Sequence, residues 1–159
     1  MKFIGLLAAF LCAFSLPARA DYQAVDGDSL VVDGVKIRLV GIDSPEYDQW
    51  CKKASGKKYK CGEKASEYMK KMIASGKKQH QKIKCENHGA DRYDRTLSVC
   101  YLGKLNLNAE MVKSGWAVTY RHDMFKAAES EAKKAKRGVW QGKFMRPELH
   151  RMLKRLTKS

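Results

Sequence analysis

The sequence lacks several features that mark common classes of protein. It contains only 17 acidic residues against 32 lysines and arginines, so its formal net charge is +15. Beyond the N-terminal segment no apolar run approaches the roughly 20 residues that a membrane-spanning helix needs. We find no internal repeat and no low-complexity linker. These absences argue against a later membrane anchor and against a repeat protein.

The first 20 residues have the features of a secretory signal peptide. Lys2 is followed by an almost unbroken apolar run from Phe3 to Leu16, and Ala18-Arg19-Ala20 has the small-residue spacing that signal peptidase recognises. A buried N-terminal helix is the alternative, but the run lacks amphipathic spacing. We therefore expect residues 1–20 to be cleaved and the protein to be exported, either to the periplasm or into the medium.

The remaining chain has the size of one domain with a real core, and it is too short for two of ordinary size. It stays strongly basic without the signal peptide. A charge of this size favours an anionic partner, either nucleic acid or an acidic surface. A basic charge that serves only solubility is the other interpretation.

Four cysteines follow the signal peptide, and an even number in an exported chain suggests two disulfides. Zinc is disfavoured because the spacings lack the short Cys-x-x-Cys pairs of zinc sites. Three pairings are possible. We favour Cys51–Cys61, which would close a loop rich in Lys and Gly, and Cys85–Cys100, which would link two strands across a hairpin.

Hydrophobic periodicity predicts a strand-rich first half with helices inserted and appended. Asp33-Gly34 is typical of a two-residue hairpin turn, and a polar loop is expected over 48–60. Helices are predicted at 63–75 with Gly76 as the stop, after an Asn106 N-cap, and at 125–137. The tail from Lys143 is expected to be at most a loosely held helix. Strands or extended segments are predicted at 22–24, 29–32, 35–40, 79–85, 96–102 and 116–120.

Three short segments carry charged residues that a small barrel would gather: 26–29, 38–46 and 91–95. Each alone is typical of a turn, a surface strand, a helix start or a hairpin tip. Cleavage of a phosphodiester needs a cation, a base for water and donors for the phosphate charge. Asp28 and Asp43 offer hard oxygen ligands for Ca²⁺, Glu46 a base, and Arg38 and Arg95 forked phosphate donors. No histidine is needed, and His80, His88, His122 and His150 are interpreted as surface residues.

These segments resemble the signature segments of the staphylococcal nuclease (thermonuclease) family. They occur in the same order, with the family's five-residue step from Arg38 to Asp43 and its three-residue step to Glu46. The segment from Cys51 to Cys61 resembles exported bacterial members. The resemblance covers roughly residues 22–140 and is carried by VDGDSL at 25–30, RLVGIDSPE at 38–46, DRYDR at 91–95, GWA at 115–117 and RGVW at 137–140.

The resemblance implies an α+β fold, a five-stranded OB-type β-barrel with three helices. We accordingly expect a nuclease domain at 21–142 and a basic tail at 143–159. It also implies a calcium-dependent endonuclease that hydrolyses DNA and RNA to leave 3′-phosphate ends. We expect the protein to be a monomer. By matching position, Asp28 and Asp43 would bind Ca²⁺ through their side chains and Ser44 through its carbonyl. Glu46 would be the general base, and Arg38 and Arg95 would hold the phosphate. The residues that would contact nucleotides are Arg92, Tyr93 and Tyr120.

Two positions depart from the family pattern. Ser44 stands where Thr is common, a change that a backbone carbonyl ligand tolerates. Asp94 stands where Gly is usual; Asp tolerates left-handed backbone, but its charge lies beside Arg95. Two other functions remain open. One is a nucleic-acid-binding module without catalysis, which is disfavoured because Arg38, Glu46 and Arg95 are all present. The other is a cationic exported protein that binds acidic envelopes, and only the tail from Phe144 to Lys158 supports it.

Overall fold

The computed structural model describes residues 21–157, so the predicted signal peptide lies outside the described residues. Its main sheet begins with three antiparallel strands, β1 (Tyr22–Ala24), β2 (Ser29–Val32) and β3 (Val35–Leu39). Asp33 and Gly34 both have positive φ, 48° and 81°, which is the geometry of the tight hairpin turn predicted for this dipeptide.

The chain leaves this sheet at β4 (Ile42–Asp43) and forms a small second hairpin from β5 (Trp50–Lys53) and β6 (Lys58–Lys60). The prediction of a loop over 48–60 was therefore wrong. The polar sequence hid the strands because both faces of the hairpin are largely exposed. Cys51 pairs with Cys61 at the start of the first helix, which ties the hairpin to the body.

The first helix, α1 (Cys61–Lys78), packs its apolar stripe onto the sheet with Ala65, Met69 and Ile73 buried. It runs through Gly76, which was predicted to stop it. A side chain on Gly76 would collide with that of Leu102, so this glycine permits close packing inside the helix. The next strand was predicted to begin at Gln79 but begins at Ile83, because the turn that closes α1 takes up the residues between.

Two long strands complete the main sheet, β7 (Ile83–Ala90) and β8 (Thr96–Leu102), which Cys85–Cys100 crosslinks. β8 lies parallel to β3, and the order along the five-stranded path is β1-β2-β3-β8-β7. The short β9 (Leu105–Asn106) pairs with β8. This mixed sheet with helices against it is the OB-type α+β fold that the sequence predicted.

Three further helices follow β9: α2 (Leu107–Lys113), α3 (Lys126–Lys134) and α4 (Pro147–Leu156). The Asn106 side chain caps α2 as predicted, accepting from the Ala109 N–H at 2.9 Å. The prediction of three helices was one too few, because α4 lies in the segment expected to be a loosely held tail. Between these helices are β10 (Val118–Thr119), which pairs with β4, a 3₁₀ turn (Gly138–Gln141) and β11 (Gly142–Lys143), which pairs with β5.

Buried Asn108 closes the sheet where β3 and β8 run parallel. Its amide nitrogen donates to the Val40 carbonyl at 2.9 Å and the Ser98 carbonyl at 3.1 Å, and its oxygen accepts from the Cys100 N–H at 3.0 Å. The polar atoms of this fully buried side chain are therefore satisfied. The amide fixes the end of β3 beside β8, just before the chain turns into the acidic segment that begins at Ile42.

Candidate active site

The first wall of the site is the β2–β3 hairpin, which places an acid beside an arginine. Asp28 directly precedes β2, and the strand register sets its neighbour Ser29 opposite Arg38. The Asp26 carboxylate accepts from the Asp28 N–H at 3.0 Å, and the Leu39 N–H donates to the Asp28 carbonyl at 2.8 Å. The Asp28 backbone is thus held on both sides, and its side chain is buried.

The second acidic segment is hydrogen-bonded directly to Asp28. Asp43 ends β4 and is only 1% exposed. The N–H of the next residue, Ser44, donates to Asp28 Oδ2 at 2.8 Å, and the Ser44 hydroxyl donates to the Trp116 carbonyl at 3.1 Å. These bonds hold the turn after β4 against the hairpin and bring two carboxylates together from positions 15 residues apart in sequence.

Glu46 is positioned through a buried glutamine. The Glu46 N–H donates to Gln49 Oε1 at 3.2 Å, and Gln49 Nε2 donates to the Met145 carbonyl at 2.7 Å. Gln49 is 1% exposed, so its amide forms a rigid link between the acidic segment and the residues that lead into α4. The Glu46 side chain itself is about one-third exposed and faces a cleft.

Arg38 neutralises the two aspartates from β3. Its Nη2 lies 2.8 Å from Asp43 Oδ1, and its Nη1 contacts Asp28 Oδ1. Burial lowers the pKa of Arg38 below its ordinary value, an effect that the hydrogen bond and charge of Asp43 oppose. Arginine stays protonated even so, because its ordinary pKa is far above neutrality.

A second guanidinium, which the sequence analysis did not single out, reaches the same acids from α4. Arg151 forks onto Asp43, with Nη1–Oδ1 and Nη2–Oδ2 both at 2.9 Å, and its Nη1 also lies 2.7 Å from Glu46 Oε1. Burial by itself would lower the pKa of Arg151, but the hydrogen bonds to Asp43 and Glu46 outweigh it and raise the pKa. The signal that could have found this residue is the helical spacing of Glu148, Arg151 and Arg155 after Pro147.

The third charged segment forms the β7–β8 turn at the edge of the same cleft. Asp91 Oδ2 accepts from Arg95 Nε at 2.8 Å, and Arg95 Nη2 lies 2.6 Å from the same oxygen. Burial would raise the pKa of Asp91, but the hydrogen bonds from Arg95 and from the backbone outweigh it and lower the pKa. Asp94 takes the left-handed conformation expected of it, with φ 55°. Arg95 therefore lines the cleft from a turn that its own hydrogen bonds to Asp91 stabilise.

Cationic and aromatic side chains surround the cleft. The guanidinium carbons of Arg92 and Arg95 lie 5.1 and 5.8 Å from the ring centroid of Tyr93, which is mostly exposed. In the same lining, the guanidinium carbon of Arg121 lies 4.9 Å from the ring centroid of Tyr120. The cleft has a volume of about 780 Å³, and its charged and aromatic lining includes Asp26, Asp28, Arg38, Glu46, Tyr47, Asp91, Arg92, Tyr93, Arg95, Tyr120, Arg121, His122, Glu148, Arg151 and Arg155.

The structure brings all of the predicted site residues to this one place. Asp28, Arg38, Asp43 and Glu46 are linked by hydrogen bonds or ion pairs, whereas Arg95, Arg92, Tyr93 and Tyr120 line the walls. Asp43 lies beneath Arg38 and Arg151 rather than in the lining. His122 also lines the cleft but is exposed, as predicted for a surface histidine. His150 lies 3.7 Å from Asp48, and neither of these two residues lines the cleft.

Comparison with known proteins identifies this arrangement. The family model described as staphylococcal nuclease homologue matches residues 36–142. The chain belongs to this family. It is 34% identical to Endonuclease YhcR of Bacillus subtilis over 74% of this chain, and 33% identical to an uncharacterized endonuclease of Haemophilus influenzae over 72% of it. Thermonuclease of Staphylococcus hyicus is 27% identical over 74% of the chain and 72% of its own length.

The chain spans only part of several relatives: 11% of the length of Endonuclease YhcR and 61% of that of the Haemophilus protein. The family match ends at residue 142, so α4 and Arg151 lie beyond it. The matched region supplies Arg38, Asp43, Glu46 and Arg95, and the segment after it supplies Arg151.

The donor chemistry of the site fits the hard divalent cation that the family implies. Asp28 and Asp43 are buried carboxylates, and the N–H of Ser44, the residue after Asp43, donates to Asp28 Oδ2. Within residues 21–157 no three His, Cys, Asp or Glu side chains form a metal-holding group. A calcium ion would therefore depend on backbone and water oxygens besides the two carboxylates, as Ca²⁺ commonly does. It would also need Asp43 oxygens that now accept from Arg38 and Arg151.

Proposed function

We propose that this protein is an exported, calcium-dependent endonuclease that hydrolyses phosphodiester bonds of DNA and RNA and acts as a monomer. One observation carries the proposal. Two buried aspartates, a cleft-facing glutamate and the arginines Arg38 and Arg95 converge on one cleft, although they come from three separate segments. Export rests on the signal-peptide pattern of residues 1–20.

The residues have distinct tasks in this proposal. Asp28, Asp43 and the Ser44 carbonyl would hold the ion, which would offset the phosphate charge. Glu46 accepts a proton from the water that attacks phosphorus, and Arg38 and Arg95 donate to the phosphate oxygens as negative charge builds on them. Cleavage of the bond from phosphorus to the 5′ oxygen, with a proton delivered to that oxygen, leaves a 3′-phosphate and a 5′-hydroxyl end.

The aromatic walls hold the strand on either side of the reacting phosphate. Tyr93 offers an exposed ring with two guanidiniums beside it, a suitable platform for a base. The Tyr120 hydroxyl lies 3.4 Å from Glu148 Oε1, and both residues line the same cleft. These contacts do not distinguish one base from another, because stacking and phosphate contacts are common to all sequences.

Release of acid-soluble nucleotides from single- and double-stranded DNA and RNA, with and without a calcium chelator, tests the proposal directly. We expect cleavage that the chelator abolishes and added Ca²⁺ restores, with 3′-phosphate termini on the products. Retained binding without cleavage would instead favour the non-catalytic module. Absence of both would favour a cationic protein that binds acidic envelopes.

Replacement of Glu46 by Gln tests the role of the base. We expect Glu46→Gln to lower kcat by about 10²- to 10⁴-fold, the usual contribution of a general base, with little change in nucleic-acid affinity. Glu67→Gln, on the exposed side of α1, removes one carboxylate away from the cleft and serves as the matched control. Equal losses of turnover and affinity in Glu46→Gln would show that Glu46 is structural.

A further inference from the structure

The last helix is docked in an unusual orientation, with its charged side against the protein. Arg151 pairs with Asp43 and Glu46, and Lys154 and His150 lie against Asp48. A surface helix of a globular protein normally buries its apolar stripe and exposes its charges. The apolar stripe of α4 faces solvent instead, with side chains 40% to 67% exposed at Leu149, Met152, Leu153 and Leu156.

The outward apolar stripe continues onto the neighbouring hairpin. Met145 and Trp50 are also exposed, and Trp50, Phe144, Met145 and Leu149 line one shallow cavity of about 830 Å³. Contiguous exposed apolar surface of this kind marks an interaction site rather than ordinary surface. We call this surface the α4 patch: Trp50, Met145, Leu149, Met152, Leu153 and Leu156.

The rim of the α4 patch carries one sign of charge. The charged side chains that line the cavity are Lys52, Lys58 and Lys143, and no carboxylate lines it. Within residues 21–157 none of these three lysines has an ion-pair partner, and all three are exposed. Asp48, which lies against the charged side of α4, is paired with Lys154. The rim is therefore complementary to an anionic surface.

From this geometry we propose that the α4 patch docks the protein on an anionic lipid bilayer. A helix with an aliphatic face, a tryptophan at its edge and lysines around it is suited to the boundary between headgroups and acyl chains. Nucleic acid fits less well, because aliphatic side chains give bases no ring to stack on and the patch offers mainly aliphatic groups. A second copy fits less well too, because it would bring the same lysines together.

Docking on a bilayer leaves the cleft free. The cleft-lining residues of α4, Glu148, Arg151 and Arg155, recur on one side of the helix, and the apolar residues of the α4 patch recur on another side, roughly 115° around the axis at 3.6 residues per turn. None of the described helices is long and apolar enough to cross a membrane. The attachment is thus peripheral, and the protein would hydrolyse or bind its substrate while lying on the surface.

Vesicle co-sedimentation tests the proposal with the full mature chain. Vesicles of phosphatidylcholine alone and with about one-third phosphatidylglycerol serve as probes, in the absence of nucleic acid. Because any basic protein associates weakly with acidic vesicles, uncharged substitutions decide the result. We expect Met152→Gln/Leu153→Gln to weaken binding to the acidic vesicles at least tenfold, with Leu105→Gln, an exposed apolar residue on β9, as the matched control.

The lysine rim is tested in the same way. We expect Lys52→Glu/Lys58→Glu to weaken binding at least tenfold, and Lys36→Glu/Lys84→Glu, exposed lysines on β3 and β7, to weaken it much less. Thermal melting of each variant confirms that it is folded, and cleavage of soluble nucleic acid stays unchanged in Met152→Gln/Leu153→Gln. The enzyme proposal therefore stands or falls separately.

Three outcomes would overturn the lipid proposal. One is binding to acidic vesicles that Met152→Gln/Leu153→Gln leaves intact, or no binding at all. Another is loss of single-stranded DNA affinity in that variant without loss of vesicle binding, which would assign the patch to nucleic acid. The third is a dimer in sedimentation equilibrium that the same variant dissociates, which would assign the patch to a second copy of this chain.

Discussion

Three acids and two guanidiniums form one cluster at the cleft, in which Asp28 and Asp43 are buried and Glu46 is about one-third exposed. Asp28, Asp43 and Glu46 carry three negative charges, which Arg38 and Arg151 only partly neutralise. Removing such carboxylates from water is costly unless they are paired, so the cluster is stable only with cations against it. Arg151 occupies both Asp43 oxygens, so a calcium ion bound by Asp43 would compete with Arg151 for them.

Substitution of Arg151 tests this competition. We expect Arg151→Gln to tighten Ca²⁺ binding by roughly threefold to tenfold, measured by titration calorimetry, because the ion no longer displaces a forked ion pair worth about 1 kcal/mol. Lys154→Gln removes the same charge from the same helix. Because Lys154 pairs with exposed Asp48 and not with Asp43, this variant should change the Ca²⁺ affinity little. Equal effects of the two variants would mean that only net charge matters.

At the scale of helices and strands, polar contacts of Glu129 hold α3 in place. Its Oε1 accepts from the Thr119 N–H at 2.9 Å and from the Thr119 hydroxyl at 3.0 Å, and Lys133 Nζ lies 2.6 Å from its Oε2. Burial would raise the pKa of Glu129, but these bonds outweigh it and lower the pKa. They fasten α3 to β10, which in turn pairs with β4 beside the site.

The lowered pKa of Glu129 predicts acid sensitivity. Because the folded-state pKa lies below that of the unfolded chain, the stabilisation is complete above about pH 4.5 and is lost as the pH falls through the folded-state value. We expect Glu129→Gln to cost about 1.5–3 kcal/mol at pH 7. Thermal melting should show that the gap between wild type and variant closes in acid. A gap that is constant from pH 7 to pH 3 would contradict the assignment.

The molecule as a whole carries an excess of positive charge, and several arginines line its one described cleft of charged residues. Its net charge is +15, and the arginines of the cleft are Arg38, Arg92, Arg95, Arg121, Arg151 and Arg155. Phosphate contacts of this kind release counterions, so binding depends steeply on salt and little on base sequence.

Salt titration measures that dependence. With a chelator present to prevent cleavage, the logarithm of the affinity for single-stranded DNA should fall linearly with the logarithm of salt concentration, by about 0.7 per phosphate contact. Arg92→Gln should lower the slope by about one contact, whereas Lys36→Gln, on the exposed part of β3, should not. A flat response in the wild type would contradict a cleft that binds through phosphates.

The sequence alone determined the family and the OB-type fold, and it singled out residues that the structure brings to one cleft. Asp33-Gly34, the stripe of α1 and the three charged segments were readable because turn chemistry and periodicity are local properties. The register of the β2–β3 hairpin follows from the turn and from the alternation in β3, because only one face of that strand is apolar enough to pack on the core. The structure also pairs the cysteines in the way the sequence favoured, Cys51 with Cys61 and Cys85 with Cys100.

Only the tertiary structure decided what the segments after residue 142 and around residue 55 do. A periodic pattern shows that α4 has an apolar side, but not that this side faces solvent and that Arg151 faces acids more than 100 residues away. The strands at 50–60 could not be predicted from hydrophobic alternation, because they are held by pairing with each other and with β11 and bury few apolar side chains. Contacts between distant segments depend on how the whole chain packs, and no local window of sequence contains that information.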